Sequence, residues 1–113
     1  MSLKEEILGN VKVFLGSADK LYKDKDYTSS SVLYCKCLFA VLDYILLNSG
    51  LGTPKDHNER FRILQSRFPS LYIILDKIFP IYQKTYSTSV DKETCDFIVG
   101  YVKRAIEKSG IVV

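Results

Sequence analysis

The sequence predicts an all-α fold: an up-and-down bundle of four to five helices forming a single domain over residues 1–113. Three observations carry this expectation. Apolar residues recur in steps of three and four over helix-length stretches. Breakers rich in Gly, Pro, Ser and paired charges separate those stretches. No segment alternates apolar and polar residues with the period of two that a half-buried strand requires, and there is no internal repeat.

The first helix is expected over Leu3–Lys23. Ser2 and Glu5 have the spacing of a capping box, and Ile7, Val11, Phe14, Ala18 and Leu21 form one apolar stripe. Leu8 and Leu15 lie beside that stripe. Gly9 and Gly16 lie on the opposite face, where they are either tolerated in solvent or allow another helix to approach. After the polar turn Lys23–Asp26, a second helix is expected over Thr28–Asn48, closed by Gly50. It is apolar nearly all round, as a helix surrounded by others would be. One polar line survives on it: Ser29, Lys36 and Asp43, seven residues apart and so nearly superposed along the axis. That line reads either as a narrow solvated seam or as a contact line in a cleft.

Gly50–Pro54 breaks the chain. Thr53 and Pro54 suit the cap and first turn of a third helix over Lys55–Arg67. A fourth begins near Ser70 with Leu71, Ile74, Leu75 and Ile78, and Pro80 is expected to kink or split it before Ile81–Tyr86. The last helix is expected over Asp91–Lys108, burying Cys95, Ile98, Val102, Ala105 and Ile106, and ending at Ser109-Gly110.

Composition sets further bounds. With 47% hydrophobic and 26% charged residues the chain is not a disordered one. At 113 residues it can bury one core without disulfides or metal. The net charge of +3, with the whole excess in residues 54–113, is too small to mark a nucleic-acid binder by itself. Three cysteines form no even disulfide framework, and the opening residues lack the basic and apolar regions of a secretory signal. A cytoplasmic location is therefore expected. Val32–Leu47 is interrupted by Lys36 and Asp43 and is shorter than the roughly 20 apolar residues of a membrane span, so no membrane association is expected.

Few residues suggest chemistry. Cys35 and Cys37 point about 200° apart on a helix and cannot share one ion, so neither metal nor cofactor is expected. His57 is the only histidine. It reads as a capping or packing residue, or as a general base. Arg60 and Arg67 fall on one helix face and suit phosphate or carboxylate, although Asp56 and Arg60 are also spaced to pair with each other. Tyr82 and Tyr86, flanking Lys84, are the one place where aromatics interleave with a base as in a stacking surface.

Several segments, in order, resemble the HEPN family. They are Ala18-Asp19-Lys20-Leu21-Tyr22 with Lys25-Asp26-Tyr27, then Tyr34–Ala40 closing with Gly50. Pro54–Arg60 follows, leading into Arg67-Phe68-Pro69, and a Tyr82–Tyr86 stretch precedes the last helix. The resemblance spans roughly residues 5–108, and its specificity lies in order and spacing. It implies a helical bundle, often a homodimer, that contacts a nucleotide or RNA or pairs with a small nucleotidyltransferase in a toxin–antitoxin or defence system. Many members of that family are metal-independent ribonucleases with an Arg followed four to six residues later by His. Here no Arg precedes His57 and no His follows it, so that chemistry is not carried over to any residue. The expectation is a non-catalytic interaction module with Lys36, Asp43, His57, Arg60 and Arg67 as candidate ligand-binding residues. The alternative is an atypical ribonuclease or toxin-type enzyme acting on RNA around His57 and Arg60.

Overall fold

The backbone of the computed structural model follows local chemistry closely at the helix ends. Residues 2–113 are described. Five helices, and no strands, are present among them: α1 (Leu3–Lys23), α2 (Tyr27–Asn48), α3 (His57–Arg67), α4 (Pro69–Lys84) and α5 (Lys92–Ser109). Ser2 caps α1, its Oγ accepting from the Glu5 N–H at 3.1 Å while the Glu5 carboxylate accepts from Ser2, a complete capping box. The carboxylates of Asp26, Asp56 and Asp91 cap α2, α3 and α5 by accepting from the backbone N–H three residues on. Gly110, at φ +75°, ends α5 in the left-handed conformation that glycine adopts without strain.

Two sequence expectations are corrected here. The third helix starts at His57 with Asp56 as its cap, rather than at Thr53-Pro54. The Asp56 carboxylate holds the Glu59 N–H at 2.8 Å, so this cap governs the start. Pro80 neither kinks off nor splits a separate segment: α4 is one helix from Pro69 to Lys84. Pro80 is exposed, as is Asp76 four residues before it. The carbonyl that lacks a proline N–H therefore lies on the solvent side, where water can satisfy it.

α2 is the centre of the bundle. It packs against α1, α4 and α5, while α3 leans chiefly on α4. Its core side chains, among them Leu38, Val41, Leu42 and Leu46, are fully buried. By length and composition α2 is long and apolar enough to cross a membrane, longer than the 32–47 stretch suggests. However, 56% of its most apolar window lies inside the bundle. The α1–α2 pair is stitched by polar contacts: Ser30 Oγ donates to the Ala18 carbonyl at 2.8 Å in the interior, and Tyr34 Oη donates to the exposed Asp19 at 2.5 Å. The turn between them passes through Lys25 at φ +63°, a left-handed position that glycine would hold more cheaply. Leu8 and Leu15, beside the main stripe of α1, pack against the core instead of projecting outward. Gly9 and Gly16 face open space: a Cβ at either meets nothing within 4 Å. The radius of gyration is 13.4 Å.

Candidate functional site

On α2, Lys36, Phe39, Ala40 and Asp43 fall on one face by their spacing of three, four and seven. α1 lies along one side of this face and the C-terminal half of α4 along the other. The result is a cleft of about 330 Å³ whose walls include Ile7, Asn10 and Phe14 from α1 and Tyr82 from α4. Lys36 and Tyr82 also line a second depression of about 610 Å³, with Val32, Gln83 and Tyr86. The two depressions adjoin at Lys36 and Tyr82, which line both, and together they make up the groove between α1, α2 and α4.

Lys36 is exposed and forms no ion pair among the described residues. Asp43, at the far end, is engaged. Its carboxylate accepts two hydrogen bonds from Arg60 of α3, Nε at 2.8 Å and Nη2 at 3.0 Å. The Arg60 side chain is 9% exposed. Its third nitrogen, Nη1, stands 2.7 Å from His57 Nδ1, and the guanidinium lies 5.3 Å from the Phe39 ring centre. A guanidinium cannot give up a proton, so His57 Nδ1 is the acceptor and any ring proton sits on Nε2. His57 is wedged among aromatics, edge-on to Phe39 with centroids 5.0 Å apart and 4.8 Å from Phe79. Burial, and then the neighbouring Arg60 charge, hold its pKa below the ordinary 6.5.

The candidate residues thus sort into three groups. Asp43, Arg60 and His57 come together, but as a closed structural unit joining α2 to α3. Arg60 pairs with Asp43, not with Asp56 as their i, i+4 spacing allows, because Asp56 is occupied as a cap. Lys36 stands free in the groove. Arg67 is exposed and lies apart, in a shallow depression with Leu51, Arg62, Ile63 and Ser66. The residues that sequence reasoning missed are Asn10, Phe14 and Phe39. Phe39 and Asp43 are one turn apart on α2, a legible signal, but the α1 residues enter only through tertiary packing. Tyr82 and Tyr86 do lie beside a lysine, though it is Lys36; Lys84 lines a different cavity, with Ile81 and Asp91.

A second polar cluster joins α1 and α5. Tyr22 donates to Asp96 at 2.5 Å, and Lys92 donates to the same carboxylate at 3.0 Å. No group of three or more His, Cys, Asp or Glu side chains is placed to hold a metal ion among the described residues. No family model, curated protein or solved structure matches this chain.

Proposed function

We propose that this chain is a non-catalytic binding module of HEPN type, and that its α1–α2–α4 groove receives a nucleotide or a short single-stranded RNA segment. One observation carries the reading: an unpaired lysine, Lys36, stands between two adjoining depressions lined by the half-buried rings of Phe14 and Tyr82. Aromatic faces accept bases of any sequence by stacking, and a free ammonium beside them takes a phosphate. The single acidic side chain lining this part of the groove, Asp43, is neutralised by Arg60, so the local charge favours an anion. The HEPN resemblance points to the same ligand class.

The same geometry supports binding without turnover. Cleavage of RNA through its 2′-hydroxyl requires a base and a cation that stabilises the phosphate. Lys36 can meet the phosphate, but His57, the one imidazole, lines neither depression; its Nδ1 is held by Arg60 and its ring is packed against Phe39 and Phe79, so it is not placed to act as that base. The experiment is titration of fluorescent uridine and adenine oligoribonucleotides and of ATP, in EDTA, with wild type and with Lys36→Glu. Binding that weakens at least ten-fold in Lys36→Glu, with the RNA left intact, is the expected result. Absence of binding, or binding indifferent to Lys36→Glu, overturns the reading. RNA cleavage that is lost in His57→Ala overturns it in favour of an enzyme.

A further inference from the structure

The outer face of α5 carries Glu93, Phe97, Gly100 and Arg104, all exposed and spaced by four, three and four residues. On a helix these fall within about 60° of one another, a single narrow stripe. Phe97 is 44% exposed, a large apolar side chain with no partner to cover it. Next to it Gly100 is a gap: a Cβ added there meets nothing within 4 Å. Phe97 stacks edge-on to Tyr101 at 5.0 Å, and the Arg104 guanidinium lies 4.9 Å from the Tyr101 ring centre. The stripe is therefore a charge, an aromatic knob, a hole and the opposite charge, in that order.

This order is self-complementary. Glu93 and Arg104 are equally distant from the point between Ile98 and Val99, and so are Phe97 and Gly100. When two copies of α5 lie antiparallel across a twofold axis at that point, Phe97 faces Gly100 of the partner subunit. Glu93 then faces Arg104 of the partner subunit, and each contact occurs twice. A parallel arrangement would set Phe97 against Phe97 and like charges against each other. We propose that α5 is the self-association face of this protein, and that its occupant is a second copy of the same chain. Both the alternation of charge and the knob-and-hole order are met by the stripe itself, without reference to any other partner. The Lys36 groove lies on the other side of α2's packing, between α1 and α4, and does not enter the proposal.

The test is sedimentation equilibrium on the intact chain over the micromolar range. Wild type is expected to sediment at twice its 12.9 kDa chain mass. Gly100→Glu fills the hole without touching the monomer, and is expected to weaken self-association at least ten-fold while leaving the helical circular dichroism unchanged. Glu93→Arg and Arg104→Glu each place like charges opposite one another and are expected to weaken it too. The double variant Glu93→Arg/Arg104→Glu recreates both pairs and is expected to recover association. A wild type that stays monomeric overturns the proposal. So does a dimer indifferent to Gly100→Glu, or a double variant no better than the singles.

Discussion

The carboxylate of Asp43 and the guanidinium of Arg60 meet at two points, 2.8 and 3.0 Å apart, in the only ion pair between two helices among the described residues. It joins α2 to α3 across seventeen positions of sequence and is largely shielded from water. Its value is asymmetric. Making it costs desolvation of two charges, but removing one partner strands the other.

Asp43→Ala leaves the Arg60 guanidinium buried with only His57 as a polar neighbour. The expected loss is about 3–5 kcal/mol in urea unfolding. The paired replacement Asp43→Leu/Arg60→Met removes both charges and is expected to lie much closer to wild type. A loss below about 1 kcal/mol for Asp43→Ala would mean that the pair behaves as a surface one.

His57 makes stability depend on pH in a defined direction. Above pH 6.5 the imidazole is neutral in folded and unfolded chains alike, and its full contribution is present. Below 6.5 the unfolded chain takes up the proton first, because burial and Arg60 depress the folded pKa. Stability therefore falls with acid until the folded imidazole also protonates. Since His57 is the only histidine, NMR titration of its ring gives one curve, with a midpoint expected below 6.5. His57→Phe is expected to flatten the fall in stability just below pH 6.5. A midpoint at or above 6.5 would contradict the account.

Leu42 and Leu46 are fully buried on the central helix. Replacing either with Ala removes three carbons from a site closed by neighbouring helices. The expected cost is about 2–5 kcal/mol each, read from chemical denaturation, with no β signal in the circular dichroism of either variant.

All three cysteines are free and buried. Burial pushes the thiols of Cys35 and Cys37 up to about 12. Since the thiolate is the reacting form, alkylation of Cys35 and Cys37 by iodoacetamide at pH 8 is expected to be negligible in the folded chain and complete in denaturant. Rapid labelling of Cys35 or Cys37 in the native protein would show that α2 opens readily.

The helices were legible because their determinants are local. The apolar stripe Ile7–Val11–Phe14–Ala18 and the Ser2–Glu5 box need no knowledge of the rest of the chain. The start of α3 was not legible, because Thr53-Pro54 and Asp56 both carry cap chemistry within four positions. Pro80 misled for a related reason: its cost depends on whether the freed carbonyl is buried, which is a tertiary fact. At the site, Lys36 and Asp43 were readable as a polar line on an apolar helix. Their separation into one free and one neutralised charge depends on Arg60, which only the docking of α3 brings into reach.

The position of α2 also bears on how this protein can change. A helix flanked by α1, α4 and α5 has few positions where a new side chain escapes a packing penalty. Of the groove-lining positions on α2, only Lys36 is exposed; Phe39 is buried and Ala40 packs against the core. A shift in ligand preference would therefore have to be written mainly in Asn10 of α1, in Gln83 of α4 and in Tyr86 of the turn that follows it, which are exposed and free to vary. The groove has a constant floor and variable banks, so its chemistry can drift while the bundle stays the same.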